Sequence, residues 1–377
     1  MNLVSVISNY LVIKMFAVEK IVNPKVAKVL NFEPKQSAKL AGLRYVRADE
    51  LQIERRKVGR GFSYLDRQGN RIKDEAEIER LKALTVPPAL SDVWLCHLPN
   101  GHLQAVGRDA KKRKQYFYHP EWRKTRSQHK FNRMLLFGAS LPSIRETTSK
   151  HLRKRGLPRE KVIAAVVQLL ETTLIRVGND QYAQKNRSFG LTTLRDRHVE
   201  IEGNKVHFEF RGKSGVDHEI ELQDRRLANI IKKCQEIPGY EIFKYYDESG
   251  ERHFVDSGDV NDYLQQITKQ EFTAKDFRTW AGTLSTAIEL NELGEADSEQ
   301  EAKSNVVQAI KNTAKQLGNR PATCRKYYVH PAIIEAYHDG KLLTMMSDLD
   351  DVESNLDRLT SEEEAVLKII QQEIPLP

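Results

Sequence analysis

Over the first third of the chain, hydrophobic and polar residues alternate in short runs. The run GRGFSYLDRQGNRIKD (59–74) alternates around Gly69-Asn70, which predicts a hairpin. VWLCHL (93–98) and HLQAVGRD (102–109) predict two more strands, joined through Pro99-Asn100-Gly101. Between them Asp74 to Leu84 has helical spacing, and VPPAL (86–90) stops it, because a residue before proline is pushed out of the helical region. The stretch AKLAGLRYVRADE (38–50) has no dominant period.

Beyond residue 160 the spacing turns mainly helical. KVIAAVVQLLETTLIRVGN (161–179) is apolar nearly all round and predicts a buried helix ended by Gly178. HVEIEGNKVHFEFRGKSGVDHEIEL (198–222) returns to period two across Gly203-Asn204 and predicts a three-stranded meander. Lys213 falls in the loop between its second and third strands. Helical text follows at Asp224–Glu236, Val260–Ile267, Ala274–Leu290 and Glu299–Leu317, with NELGEADSEQ (291–300) as a loop. A short helix is expected after Pro321, with no further breaker until Pro331. This order predicts an α+β chain of two domains: a small β-rich N-terminal domain, then a larger, mainly helical one carrying the meander.

A chain of 377 residues can bury two cores, and 40% hydrophobic with 30% charged residues describes a water-soluble globular protein. Net charge adds a partner. The total is +8, but residues 347–377 hold nine acidic side chains against Arg358 and Lys368, a net of −7. The preceding chain therefore carries +15, which favours a polyanion. The basic run GRDAKKRKQYFYHPEWRKTRSQHKF (107–131) interleaves Tyr116, Tyr118 and Trp122. Composition alone fits a solvated face equally well; the aromatics favour a surface that tracks phosphates and touches sugars or bases. Three widely spaced cysteines, Cys96, Cys234 and Cys324, suit reduced thiols and a cytosolic setting. The opening MNLVSVISNYLVIKMF lacks a basic leader, and its uncharged run of 13 residues is too short to span a bilayer. Residues 1–14 are read as an apolar leader, either disordered or outside the native protein with Met15 as the effective start.

Candidate chemistry gathers around LGNRPATCRKYYVHP (317–331). Its tyrosines lie beside Arg325 and Lys326, and upstream stand Arg176 in LIRVGN, Lys213 in FRGKSG and Arg278 in TAKDFRTW. Two arginines, one lysine and one tyrosine are enough to hold a phosphodiester and attack it without a metal. Guanidinium forks match phosphoryl oxygens bidentately and stay charged at any working pH. Gly212 and Gly215 let the Lys213 loop press close to a backbone, where an ammonium serves as general acid. The GKS triplet is no phosphate-binding loop, since that spacing needs glycine where His207 stands. The histidines show no metal-ligand spacing, and no nucleotide-binding loop is visible, so no cofactor is expected.

This order, Arg…Lys…Lys-x-x-Arg…Tyr, resembles the type IB DNA topoisomerases, in particular their small poxvirus-like bacterial branch, from about Arg60 to Gly340. The resemblance implies a two-domain clamp around duplex DNA, with Tyr328 rather than Tyr327 as the nucleophile. It implies Arg176 and Arg278 as the phosphate clamp, Lys213 as general acid, and Lys275 as a second lysine that positions the phosphate or relays protons. Asn319 stands where poxvirus enzymes carry histidine, as is common in the bacterial branch. Arg113, Lys114, Gln115, Tyr116, Tyr118 and Tyr182 are the expected DNA contacts. The implied activity relaxes supercoils through a 3′-phosphotyrosyl link, without ATP or metal, in a monomeric cytoplasmic enzyme on the nucleoid. Expected boundaries are 1–14 for the leader, 15–121 for the N-terminal DNA-binding domain, 122–346 for the catalytic domain and 347–377 for an acidic tail. Two readings stay open beside it: a tyrosine recombinase of the same fold and chemistry, and a DNA-binding protein that keeps the fold without activity.

Overall fold

In a computed structural model, residues 35, 38–39, 41–59, 61–110, 114–347 and 358–372 are described, with side chains 123–132 left aside. Residues 1–14, Arg113 and the acidic stretch 348–357 lie outside them. The chain divides into two compact units, residues 27–133 and residues 134–377. The architecture is α+β: a small sheet-based N-terminal region and a mainly helical remainder with a three-stranded antiparallel sheet.

The smaller unit is built on a five-stranded antiparallel sheet in the order β2-β1-β3-β4-β5. Its strands are β1 (Ile53–Val58), β2 (Gly61–Leu65), β3 (Ser91–Leu95), β4 (Leu103–Arg108) and β5 (Lys114–Tyr118). A short hairpin forms around Gly69-Asn70 as expected, with Asp66 N donating to Asn70 O and Ile72 N to Tyr64 O, and a longer one forms one turn earlier. β2 pairs with β1 through Val58↔Gly61, and across Gly69-Asn70 only Leu65 bridges Arg71. Gly59, at φ 57°, supplies the left-handed turn. Helix α1 (Glu75–Ala83) starts where Asp74 accepts from the Ala76 and Glu77 amides, an N-cap visible in the sequence. Its Leu81 joins Ile53, Val93, Leu95 and Ala105 in the core. Arg55 donates to the carbonyls of Val86, Pro87 and Leu90, which pins the VPPAL turn to the sheet.

Helix α2 (Pro120–Leu152) was not legible in the basic text. In the larger unit it is followed by α3 (Arg159–Thr173), α4 (Asp180–Asn186), the meander β6 (Val199–Glu202), β7 (Lys205–Arg211) and β8 (Asp217–Gln223), and α5 (Arg225–Gln235). Next come a short hairpin, β9 (Lys244–Tyr246) with β10 (Arg252–Phe254), and helices α6 (Ser257–Thr268), α7 (Ala274–Leu293) and α8 (Glu299–Gln316). The chain closes with α9 (Pro321–Tyr327), α10 (Pro331–His338), α11 (Lys341–Ser347) and α12 (Ser361–Gln372). The meander keeps the expected register, with Val206 opposite Leu222 and Phe210 opposite His218.

Helix α3 is buried along its length, from Val162 to Leu170, as its all-round apolar surface requires. It ends earlier than expected. Leu174 turns left-handed at φ 56°, so Arg176 lies in the following irregular segment and not on the helix. Helix α7 forms the centre of the unit, packing against α3, α8, α10 and α12.

The last described segment departs from the expectation of an acidic extension. Ser361–Gln372 is a helix whose Ala365, Val366, Leu367, Ile369 and Ile370 are buried. Glu363, one of the charges counted there, is 3% exposed and bonded to Arg145 at 2.7 Å, with Arg145 also holding Glu171 at 2.8 Å. The Trp280 indole donates to the same carboxylate at 3.4 Å. Apolar residues at helical spacing outweigh the local charge, so residues 361–372 pack as a helix against α7. No helix among the described residues is long and apolar enough to cross a membrane.

Candidate active site

Four backbone segments of the larger unit bring the expected residues together. Arg176 comes from the irregular segment after α3, Arg278 from α7, Asn319 from the turn between α8 and α9, and Tyr328 from the end of α9. Each is fixed by a different local device.

The turn between α8 and α9 needs Gly318, which adopts φ 56°, and its Asn319 amide donates back to Ala314 O at 2.8 Å. Pro321 then opens α9 at its first turn, where a missing N–H costs nothing. Helix α9 is only seven residues long, and Tyr328 is its C-cap, off the helical register at φ −127°. Tyr327 therefore stays on the outside, 47% exposed, with Lys326 Nζ over its ring at 5.3 Å. Tyr328 turns inward onto α7. Its carbonyl accepts from Thr283 Oγ1 at 3.0 Å, and that hydroxyl in turn accepts from the His330 amide at 3.0 Å. The approach is possible because position 282 is glycine: a Cβ there would lie 2.8 Å from both Tyr328 Cβ and Tyr328 O. Gly282 and Thr283 escaped the sequence reading, since a glycine and a threonine inside a helix carry no signal without the contact.

Arg278 is 4% exposed. It donates to Leu174 O, and to Leu317 O at 2.5 Å, and its Cζ sits 5.8 Å from the centre of the Tyr328 ring. The two carbonyls are the ends of α3 and α8, so the guanidinium ties three helices while presenting its remaining edge to the tyrosine. Its Nε is buried with no hydrogen-bond partner. Arg176 donates to Asn319 Oδ1 at 2.6 Å. A guanidinium only donates, so the Asn319 oxygen must face it and the amide nitrogen must point elsewhere. That nitrogen, Nδ2, is buried without a partner as well.

Neither arginine has a carboxylate within ion-pair distance among the described residues. Burial lowers the pKa of Arg176, with the Tyr328 phenol acting in the opposite direction. Burial and then the charge of Arg176 lower that of Arg278, again opposed by Tyr328. A buried and a half-buried guanidinium that repel each other, with unpaired N–H donors beside them, make a site for an anion. A guanidinium remains charged through such shifts at working pH.

Lys213 is exposed in the loop between β7 and β8. The loop closes on itself through Gly212 N to Val216 O at 2.7 Å, with Ser214 and Gly215 left-handed at φ 64° and 77°. Its link to the arginines is a residue that went unremarked in the sequence, His218. The His218 ring lies where a Cβ on Gly212 would come within 2.6 Å, and a Cβ on Gly318 within 2.8 Å. It therefore fills the space between the Lys213 loop and the Asn319 turn. A signal existed in the alternation of β8, where His218 shares the inner face with Ile220 and Leu222. Lys275 is exposed one turn before Arg278 on α7, at the i, i+3 spacing that puts both on one helix face. Cys324 is buried on α9, and burial pushes its thiol up to about 11, which removes it as a rival nucleophile near neutrality.

The expected DNA contacts lie on separate elements. Lys114, Gln115, Tyr116 and Tyr118 are on β5 of the smaller unit. There Tyr116 stacks on Tyr118 with centroids 6.2 Å apart, and Gln115 donates to Asp109 at 3.1 Å. Tyr182 is 48% exposed on α4 of the larger unit. Arg113 lies outside the described residues. One feature was not expected: Asp247, Glu251 and His253 converge at the turn of the β9–β10 hairpin. Asp247 there accepts from the Ser249 and Glu251 amides and lies 2.7 Å from His253, which accounts for the cluster as a closed turn.

Comparison with known proteins gives two family matches. Residues 119–356 match the catalytic core of eukaryotic DNA topoisomerase I, and residues 61–109 match the N-terminal domain of bacterial DNA topoisomerase IB. Among curated proteins, DNA topoisomerase 1B of Acanthamoeba polyphaga mimivirus is 31% identical over 295 residues, covering 76% of this chain and 88% of the viral one. DNA topoisomerase 1B of vaccinia virus (strain Copenhagen) is 26% identical over 286 residues, covering 73% and 86%. DNA topoisomerase 1 of Mycosarcoma maydis is 25% identical over 176 residues, covering 42% of this chain and 17% of the fungal one.

Proposed function

The chain belongs to the type IB DNA topoisomerase family and is a DNA topoisomerase acting on DNA; from that premise we propose that Tyr328 cuts one strand of the duplex and holds it as a 3′-phosphotyrosyl link. The observation that carries this reading is the pair of half-buried Arg176 and buried Arg278, without carboxylate partners among the described residues, with Arg278 set against the Tyr328 ring.

In this mechanism the scissile phosphate takes the place that the two guanidiniums leave for an anion. Arg176 and Asn319 act as one unit: the bond between them aims Asn319 Nδ2 and the free edge of Arg176 at non-bridging oxygens. The Tyr328 oxygen attacks phosphorus as its phenol proton passes to water, negative charge grows on those oxygens, and fixed donors stabilise it without reorganising. The 5′-oxygen departs with a proton from Lys213, leaving a free 5′-hydroxyl. The bond energy is kept in the phosphotyrosyl ester, so the free end can swivel and the 5′-hydroxyl can return the strand without ATP. The charge neutralisation that a divalent metal supplies in other phosphoryl transfers comes here from the arginines. Lys275, beside Arg278, is assigned to the same phosphate. Lys114, Gln115, Tyr116, Tyr118 and Tyr182, with Arg113, are proposed as duplex contacts. The proposed working form is a monomer on the nucleoid in the cytoplasm.

The test is incubation with supercoiled plasmid in EDTA without ATP. Relaxation in unit linking steps supports the proposal. Strand-exchanged junctions would favour a recombinase, and gel retardation with unchanged linking number would leave only a DNA-binding role.

A further inference from the structure

We propose that His218 is a positioning residue that sets the Lys213 loop against the phosphate clamp, by standing as a spacer between Gly212 and Gly318. The proposal deepens the mechanism above and rests on Lys213 being the general acid.

The two sides of the spacer are held very differently. On the clamp side Asn319 is fixed without His218: its amide donates to Ala314 O at 2.8 Å and its side chain accepts from Arg176 at 2.6 Å. On the loop side the backbone bonds are internal, Gly212 N to Val216 O at 2.7 Å and Gly215 N to Gly212 O at 3.2 Å. These shape the loop but do not aim it. The ring that reaches the loop is itself anchored, stacked on Phe210 with centroids 5.1 Å apart and planes 15° apart. Both facing positions are glycine, and a methyl group at either would enter the space of the ring. At Gly212 the backbone is extended (φ −94°, ψ −163°), a region open to any residue, so glycine there answers to the ring and not to the backbone.

The charged groups around the ring agree with a spacer that carries no charge. Arg176 faces it from the segment after α3, Arg278 from α7, and Asp217 precedes it on β8. Burial and then the two arginines lower the pKa of His218, so the ring is neutral when the enzyme works near neutrality and adds no third cation to the clamp.

If His218 acts through Lys213, its loss must matter only where a proton must be delivered. Single-turnover cleavage should be measured on two duplexes, one with the natural 5′-oxygen leaving group and one with a 5′-sulfur, which departs unprotonated. His218→Ala should slow cleavage of the oxygen duplex about 10- to 100-fold, the size expected for a group misplaced by about an ångström. It should leave the sulfur duplex within about threefold of the parent protein and duplex affinity unchanged. His218→Gln, which keeps a neutral polar group of similar reach, should recover most of the oxygen rate. Gly212→Ala should show the same leaving-group pattern, and adding it to His218→Ala should cost nothing more, because the ring it displaces is gone. An equal defect of His218→Ala on both duplexes, or multiplicative losses in the double variant, would overturn the spacer role. Lys213→Ala is the control that separates the two readings. If sulfur fails to rescue it, the general-acid assignment falls; if sulfur rescues it but not His218→Ala, only the spacer falls.

Discussion

Replacing Gly282 by alanine tests the placement of Tyr328 without touching a reactive group. The added Cβ would stand 2.8 Å from Tyr328 Cβ and O and 3.2 Å from Leu317 Cδ1. Ordinary contact begins at 3.4 Å, so the tyrosine must retreat by about 0.6 Å against a close-packed interior. The two closest opposing atoms are the Cβ and the backbone oxygen of Tyr328 itself, and neither is the end of a flexible side chain. The retreat also stretches the 3.0 Å bond from Thr283 to Tyr328 O. A displacement of this order at the nucleophile costs about 10- to 100-fold in rate. The helix itself gains: alanine in place of glycine in a helix interior is worth roughly 1 kcal/mol. That offsets part of the packing strain, so the unfolding midpoint should move little while cleavage falls. The assay is single-turnover formation of the covalent adduct on a suicide duplex, read beside urea unfolding and duplex binding. A cleavage rate equal to the parent's would show that Tyr328 is not held through α7. A rate loss that tracks a loss of stability would refute the positioning argument.

Tyr328→Phe should abolish the covalent adduct at unchanged duplex affinity, while Tyr327→Phe, altering an exposed ring, should keep it; an adduct on the first variant would mean the wrong ring has been assigned. Asn319→Ala removes one neutral donor and should raise the cleavage barrier by about 1–2 kcal/mol, whereas Arg176→Ala should cost several kcal/mol more. A larger defect in the asparagine variant would reverse their roles. Glu363→Ala leaves the Trp280 indole and one side of Arg145 unpaired in a buried setting, and should lower stability by about 3 kcal/mol in urea unfolding. An unchanged midpoint would mean α12 is not coupled to α7. His330, 7% exposed, accepts from Ala332 N at its own N-cap, and burial pushes its imidazole down to about 4. The unfolded chain takes a proton near 6.5 that the folded ring refuses until about 4. Stability is therefore full above that range and falls by up to about 3 kcal/mol as pH drops through it. His330→Asn keeps a capping acceptor and should flatten the decline, measured as unfolding free energy at pH 7 and pH 5.

What could be read from the sequence followed from how local each signal is. The meander was legible because period two, Gly203-Asn204 and the glycines around Lys213 all lie within one short stretch. Helix α3 was legible as a buried helix, but its end was not. Thr173 and Leu174 look as helical as their neighbours, and what stops the helix is tertiary: Arg278 bonds the Leu174 carbonyl from α7. Helix α2 was hidden because Lys and Arg are good helix formers that also read as a charged surface. β1 was missed because IERRKV offers one buried residue, Ile53, against a row of charges. The acidic C-terminal stretch misled in the opposite way, its glutamates outweighing an apolar face that runs through Ala365, Val366, Ile369 and Ile370.

The candidate site divides along the same line. Arg176, Lys213, Arg278 and Tyr328 announce themselves because chemistry restricts which residue types can hold and attack a phosphate, and their order along the chain narrows the choice further. The residues that hold them in place have no such restriction. Gly282 is an ordinary helical glycine until Tyr328 is packed on it, and Gly212 is an ordinary loop glycine until His218 fills the space beside it. Their meaning is a distance between segments far apart in sequence: 46 residues separate Gly282 from Tyr328, and about 100 separate His218 from Gly318. Substitutions at reactive residues therefore ask only whether the chemistry is right. Substitutions at Gly212, His218 and Gly282 ask whether this fold is what makes that chemistry possible, because each leaves every reactive group in the chain and changes only where it stands.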